Sequence, residues 1–259
     1  MNSTRCRAAV RFTAWALLAP LPALSADFTR EQVAEQLAAL PAGGRINLAG
    51  RSLNGLDLSR LDFTGGDLHG ADLSGANLFA AKFQDANLTG ANLSGARVVS
   101  RLGHADLTGA NLSGAKMSAD MKNQSMGLMR AEFPGANLAG ANLSGAELGN
   151  PLLRFANLTG ANLTGADLHQ ADFIGANLAG ANLTGAIATG TNFEAAEIKN
   201  AIGLDSVKGL DRTGSHWVAV TTGAGRRLSL RWQAWFGDHE FEAPHAQQHS
   251  ADEQNAFEE

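Results

Sequence analysis

A five-residue unit, Ala-Asn/Asp-Leu-Ser/Thr-Gly, repeats through most of the chain and constrains the fold more than any other feature. Its middle residues, which we call centres, run from Leu48 to Val98 and again from Phe133 to Ile198. A period of five matches neither the 3.6 residues of a helical turn nor the two of a strand. It fits a solenoid in which each unit forms one side of a square coil. The centre and the preceding Ala then point inward, and Gly turns the corner.

These tandem A(D/N)LxG units resemble those of the pentapeptide-repeat family over roughly residues 46–203. The resemblance implies an all-β solenoid, a right-handed quadrilateral β-helix, and we expect about seven coils at ~4.8 Å each. Because the repeated positions are structural, the motif specifies the fold and says little about function. Family members of known activity include acidic proteins that mimic DNA and bind DNA gyrase.

Counting four units per coil from Leu48, Leu53, Leu58 and Phe63 defines faces one to four. In the middle of the chain this count treats 101–104 and 124–130 as insertions, both leaving the corner between faces three and four. It also makes Met117 and Met121 centres. All five Phe centres then fall on face four, in one column, where stacked rings pack well. The predicted column is Phe63, Phe83, Leu107, Phe133, Leu153, Phe173 and Phe193.

The residue before each centre distinguishes the faces, because faces one and two carry mainly Asn while three and four carry most of the charge. Outward apolar residues, including Ile174, also fall on faces three and four. Either these faces bind a partner, as loops on rigid scaffolds often do, or their surface positions simply vary freely. The candidate binding residues are Arg101, His104, Met126, Met129, Arg130, Phe79, Leu152 and Ile187.

The first 26 residues are typical of a secretory signal peptide. Three Arg residues precede an apolar core from Phe12 to Leu21, which is too short to span a bilayer, and small residues follow as far as Ala26. We therefore expect export, to a bacterial periplasm, with cleavage near Ala26. The single cysteine, Cys6, would leave with the signal, so the mature chain would form no disulfide. The net charge would change from −5 to −8 through loss of Arg5, Arg7 and Arg11.

The segments outside the repeat have separate predicted roles. Residues 27–45 contain a capping helix, with Thr29 as N-cap and Gln32 completing a capping box. Residues 204–237 contain a C-terminal cap and a hairpin turning near Gly223. This hairpin either covers the end of the solenoid or binds a ligand or partner. Residues 238–259 hold seven acids without Lys or Arg, which predicts a disordered acidic tail. The aromatic candidates in the hairpin are Trp217, Trp232 and Trp235.

No combination of residues predicts catalysis or a cofactor. Four of the five methionines lie between Met117 and Met129, and thioethers bind Cu(I), but core and loop packing explains them more simply. His residues such as His69 and His169 have no catalytic partner at a recognisable spacing, and those of the tail do not match a structural zinc site.

The sequence thus favours a non-enzymatic exported scaffold or protein–protein interaction module with an unknown protein partner. We expect no nucleic-acid binding, because the chain is acidic, and no transmembrane segment in the mature chain. A homodimer through a solenoid end or the C-terminal hairpin is also open. The alternatives are an acidic DNA mimic acting on a type II topoisomerase and a weak copper-binding protein.

Overall fold

The computed structural model describes residues 26–118 and 130–209, and the backbone of two short strands beyond them. Most of this chain forms single parallel β-bridges between the residue before each centre and its counterpart one coil later. Each coil therefore adds one rung to each face. The regular elements within the described part are helix α1 (Arg30–Ala38), a 3₁₀ helix (Leu204–Ser206), and strands β1 (Ala219–Thr221) and β2 (Arg227–Ser229).

The bridges form four ladders, one for each face of a four-sided solenoid. Ladder one joins Asn47, Asp67, Asn87, Asp106, Asn137, Asn157, Asn177 and Glu197, and ladder two joins Ser52, Asp72, Asn92, Asn111, Asn142, Asn162, Asn182 and Ile202. Ladder three joins Asp57, Asn77, Arg97, Lys116, Glu147, Asp167, Ile187 and Lys208. Ladder four joins Asp62, Lys82, Arg101, Glu132, Leu152, Asp172 and Asn192.

The centres and the small residues two positions before them fill the interior. They form one continuous cluster of buried Leu, Phe and Ala side chains that runs the length of the solenoid. The Phe column is confirmed, since all five Phe centres follow ladder-four residues and all are buried. The Phe63 and Phe83 rings stack with centroids 4.9 Å apart, and those of Phe173 and Phe193 are 5.3 Å apart.

The predicted insertion at 101–104 is wrong. Arg101 bridges Lys82 and Glu132, and Leu102 is fully buried, so these residues form an ordinary face-four unit. The irregularity is instead a unit shortened by one residue, because Ser100 occupies the inward slot where other units place Ala. The Ser100 hydroxyl donates to the backbone carbonyl of Leu78, at 2.5 Å. Leu107, predicted on face four, consequently lies on face one.

The later interruption does leave the corner between faces three and four. Met117 is a buried centre that follows ladder three, and the next described unit, at Phe133, belongs to face four. Two errors of the sequence count cancel here, since it skipped the unit of Leu102 and added one at Met121. Met121 and most of the predicted insertion at 124–130 lie outside the described residues.

Helix α1 packs against the N-terminal end of the solenoid through Val33, which is fully buried in the common core. Its N-cap is Thr29, and the side chains of Thr29 and Gln32 form a capping box. The guanidinium of Arg30 also donates to backbone carbonyls of the first coil, at Asp57 and, at 3.0 Å, Ser59. These contacts cover apolar surface that the first coil would otherwise expose.

At the C-terminal end, strands β1 and β2 pair antiparallel, with Val220 opposite Leu228. The predicted turn at Gly223 lies between these strands and outside the described residues, as do the signal peptide at 1–25, the three hairpin Trp residues and the acidic tail. Within the described part of the chain, no helix is both long and apolar enough to cross a bilayer.

Candidate interaction surface

Face four carries charges that are paired across neighbouring coils. The ammonium of Lys82 lies 2.9 Å from a carboxylate oxygen of Asp62, and Arg154 Nε lies 2.5 Å from Asp172 Oδ2. A looser pair joins Arg101 to Glu132 at 3.9 Å. Each acid of ladder four therefore has a cation beside it. This arrangement differs from the row of repeated negative charges that a phosphate backbone presents.

The two corners beside face four depart from the repeat. Non-glycine residues occupy left-handed backbone conformations at nine described positions, and eight of these lie where face three meets four or face four meets one. The corners around faces one and two keep Gly almost throughout. The eight residues are Arg60, Ala80, Asn150 and Gln170 at the three–four corner, and Asp85, His104, Phe155 and Ala195 at the four–one corner.

Three of these corner side chains, His104, Phe155 and Gln170, lie over a glycine of the next coil, and the first two do so closely. A methyl group on Gly135 would fall 2.7 Å from Nδ1 of His104, and one on Gly175 would fall 2.6 Å from the ring of Phe155. The Phe155 side chain is nevertheless 70% exposed. A large apolar ring therefore rests on a flat backbone surface and is open to solvent.

Face three contributes an aromatic and charged pair. The guanidinium carbon of Arg97 lies 4.5 Å from the centre of the half-buried Phe79 ring, a cation–π contact. Ile187, on the same face, is 40% exposed near the C-terminal end of the ladder. Faces three and four together thus present charge and apolar surface side by side.

Faces one and two use their polar side chains internally. The amide of Asn157 donates to the Oδ1 of Asn137 at 3.0 Å, and Asn162 donates to Asn142 at 3.2 Å. The same oxygens accept backbone N–H groups two residues later, as Asn137 does from Ala139. These amides therefore hold coil to coil. Among the residues described here, no group of three His, Cys, Asp or Glu side chains converges to hold a metal ion.

Several carboxylates near the N-terminal coils are stabilised in their charged form. The hydroxyl of Thr64 and, to a lesser degree, the ammonium of Lys82 hold the pKa of Asp62 below its usual value despite partial burial. The ring of His69 lowers the pKa of Asp67, with Nδ1 and Oδ1 2.8 Å apart. These acids remain ionised at neutral pH.

The structure brings some of the predicted binding residues together and separates others. Arg101 and Leu152 lie on face four, and His104 ends a face-four unit at the four–one corner. Arg130 donates to the side chain of Asn150 at the three–four corner, while Phe79 and Ile187 lie on face three. Outside the described residues are Met126, Met129, Trp217, Trp232 and Trp235.

Sequence reasoning missed Phe155 and the other substituted corners. It compared residues before and at each centre, so it did not sort the position two after the centre by face. The signal was available, because that slot holds Gly in most units and Arg60, Asp85 or Gln170 in the exceptions. A departure from Gly at a left-handed corner is more informative than variation at an outward position, because it costs backbone energy.

Eight copies of the family model for pentapeptide repeats match this chain, at residues 45–78, 81–99, 100–119, 128–150, 152–187 and 176–202. No curated protein matches it. Among solved structures, HetL, a pentapeptide-repeat protein of the cyanobacterium Nostoc involved in regulating heterocyst differentiation, shares 25% identity. The match covers 76% of this chain and 98% of HetL, with a TM-score of 0.33.

Two further solved structures are similar. QnrB1, a plasmid-mediated fluoroquinolone resistance protein, shares 23% identity over 61% of this chain and 76% of its own, with a TM-score of 0.42. Rfr23 from the cyanobacterium Cyanothece shares 24% over 62% and 90%, with a TM-score of 0.16. The matched repeats span most of the solenoid, so the chain belongs to the pentapeptide-repeat family, whose members fold as right-handed quadrilateral β-helices.

Proposed function

We propose that this protein is an exported, non-enzymatic interaction module that binds a protein partner through face four and its two flanking corners. Pentapeptide-repeat proteins are generally structural or interaction modules rather than enzymes. Faces one and two carry mainly Asn rungs, whereas the ladder residue of face four differs between neighbouring coils and its corners often replace Gly. Individual side chains on a rigid frame are what selective recognition requires.

The observation that carries this proposal is the concentration of left-handed non-glycine residues at those corners. An L-residue in this conformation costs about 1 kcal/mol relative to Gly, and less for Asp, Asn and His, so the cost falls mainly on the other five of the eight residues. Strained backbone of this kind clusters at functional sites, where the side chain it presents compensates for its cost. Random surface variation would have distributed such residues over all four corners.

Two features of face four describe the partner. The ion pairs leave the face without a run of uncompensated carboxylates, so a partner that binds phosphate backbones is disfavoured. The second feature is the apolar surface of Phe155 and Leu152 beside these ion pairs, which favours a partner surface with mixed polar and apolar character.

Export is part of the proposal and rests on residues 1–26 alone. Mass spectrometry of the protein purified from the native envelope fraction tests it. We expect a mature N-terminus near Asp27. A mature chain that retains Met1 or Cys6 would place the protein, and therefore its partner, in another compartment.

The binding surface is tested by restoring the family's own corner residue. We would combine His104→Gly, Phe155→Gly and Gln170→Gly, each of which removes a corner side chain without touching a core centre. Because Gly suits the left-handed backbone, thermal stability should be retained or rise. The matched control combines Ser144→Ala, Thr159→Ala and Thr164→Ala, which lie on faces one and two.

Both variants and the unchanged protein would be immobilised and exposed to a detergent extract of the envelope. A specific partner should be captured by the unchanged protein and the control, and lost from the corner variant. Equal capture by all three proteins would exclude face four and leave the C-terminal segment at 204–237 as the region to examine.

A further inference from the structure

Charge alternates along the solenoid on faces three and four. On each of these faces two adjacent cations lie between acids. On ladder four they directly follow Asp62, and on ladder three Asn77 separates them from Asp57. We call the four central cations the cationic band: Lys82 and Arg101 on ladder four, and Arg97 and Lys116 on ladder three. The acids on either side along the two ladders are Asp57, Asp62, Glu132, Glu147, Asp167 and Asp172.

The cationic band places like charges on neighbouring rungs. Lys82 bridges Arg101, and Arg97 bridges Lys116, so these backbone positions are ~4.8 Å apart. Like charges directly opposite one another destabilise a sheet unless something compensates them. Asp62 and Glu132 compensate only in part, because the Lys82 and Arg101 side chains are 47% and 62% exposed. Exposed pairs of this kind are worth about 0–1 kcal/mol and exchange readily for another anion.

An anionic segment of suitable size belongs to this chain. Residues 238–259 contain seven acids and no Lys or Arg. We propose that this acidic segment docks on the cationic band of the same molecule. The chemistry is that of carboxylates meeting Lys and Arg side chains.

The geometry of the solenoid permits this contact. Lys208, near the end of the described solenoid, lies four rungs from Lys116 along ladder three, or about 19 Å. Thirty positions separate Lys208 from Asp238, and an extended chain of that length spans up to ~100 Å. The rungs of Asp167 and Glu147 come between and repel an acidic segment, whereas the cationic band is where two cations occupy neighbouring rungs on both ladders.

This inference does not depend on the proposed function, because it needs no external partner. If it holds, the acidic segment occupies faces three and four until a partner displaces it. Any competitor for the band would then have to be acidic too, which excludes basic proteins from this part of the surface.

Paramagnetic labelling of the full chain tests the contact. Cys6→Ser removes the single cysteine, and Ser250→Cys then provides a nitroxide site inside the acidic segment without changing its charge. Amide signals of Arg101 and Lys116 should broaden at least about threefold more than those of Asn92 and Asn142 on face two. The difference should largely vanish between 20 mM and 500 mM salt, as the Debye length falls from ~20 Å to ~4 Å.

Two variants provide the matched comparison. Arg101→Gln with Lys116→Gln should abolish the selective broadening, while Arg51→Gln with Lys199→Gln, which removes two charges elsewhere, should leave it intact. A mixture of labelled unenriched protein with unlabelled isotope-enriched protein detects contact between molecules. Broadening that appears equally in the mixture would mean that the segment docks on a second copy, and this would overturn the proposal. So would broadening that is even over all faces, or absent at low salt.

Discussion

The ring of Phe155 lies over Gly175, one coil later at the same corner, so close that a methyl group there would sit 2.6 Å from ring carbons. The two residues share a left-handed backbone, with φ of 57° and 64°. Phe155 adopts this conformation although it has a side chain, which makes it strained, and Gly175 provides the flat backbone surface beneath the ring. The candidate surface therefore contains an aromatic residue in a strained conformation that packs on a glycine, where a larger residue would clash with the ring.

Gly175→Ala should therefore displace the Phe155 ring while costing about 1 kcal/mol of unfolding free energy from backbone strain alone. The ring can swing into solvent because it is 70% exposed. Gly160→Ala is the control, since its φ is 65° and no atom lies within 4 Å of the added methyl. Urea denaturation should give equal losses within about 0.5 kcal/mol, with Phe155 ring shifts changing only in Gly175→Ala. A clearly larger loss for Gly175→Ala would mean that the ring is held in place.

Phe83→Leu should destabilise the solenoid by about 1 kcal/mol more than Phe133→Leu. Both replacements remove ring volume from face four, but Phe83 stacks on Phe63 at 4.9 Å, whereas Phe133 lies between Leu102 and Leu153. Stacked aromatic pairs contribute about 0.5–1.5 kcal/mol beyond their buried area. Thermal and urea unfolding of both variants, with Phe63→Leu completing a double-mutant cycle, measure this difference. A coupling energy near zero would show that the stacking adds nothing to ordinary packing.

Leu102→Ala tests the position of the shortened coil. Leu102 is fully buried as a face-four centre, so its truncation should cost about 2–4 kcal/mol through lost packing and a cavity. Leu152→Ala, at an outward half-buried position on the same face, should cost less than about 1 kcal/mol. If urea denaturation gave equally small losses of unfolding free energy for both variants, residues 101–104 would instead form a surface loop.

The paired carboxylate of Asp62 predicts a dependence of stability on acid pH. Its pKa is lowered in the folded state, mainly by the Thr64 hydroxyl, so the folded protein favours the charged form. The stabilisation is therefore complete above the usual carboxyl pKa of about 4 and is lost as pH falls through the lowered value. The melting temperature of Asp62→Asn should lie below that of the unchanged protein at pH 6, and the gap should close as the pH falls through the lowered pKa of Asp62.

Lys82→Gln separates the two causes of this shift. Because the Thr64 hydroxyl is the larger contribution, the pH dependence attributable to Asp62 should shrink in this variant but persist. Its complete loss would assign the effect to the ion pair instead.

The architecture was predictable from the sequence because the residue types within each five-residue unit identify which positions point inward and which point outward. Phe and Leu side chains differ enough in volume that aligning the Phe centres recovered face four in the coils where the repeat is regular. The coil of Leu102 was not recoverable in the same way. In the shortened unit Ser100 occupies the inward position that Ala normally takes. The sequence 98–104 therefore does not match the repeat and resembles a loop.

The candidate surface was predictable only in part. Charge and apolarity at outward positions pointed to faces three and four, but the ion pairs depend on which coils are neighbours. Arg101 and Glu132 are 31 positions apart in the chain and only one rung apart in space. Any count that misplaces Arg101 misses both that pair and the adjacency of Lys82 and Arg101, and hence the cationic band.

The Asn rungs of faces one and two are similar from coil to coil, so they set the rise of each coil but do not distinguish one coil from another. The residues of faces three and four differ between coils and do distinguish them. The number of coils therefore fixes the distance between the cationic band and the Phe155 corner, at ~4.8 Å for each coil. Duplicating or deleting one whole coil between them would change this spacing by ~4.8 Å. The contacts in the core would remain of the same type. Under the proposed function, the number of coils would therefore affect which partner fits, with no new side chain needed.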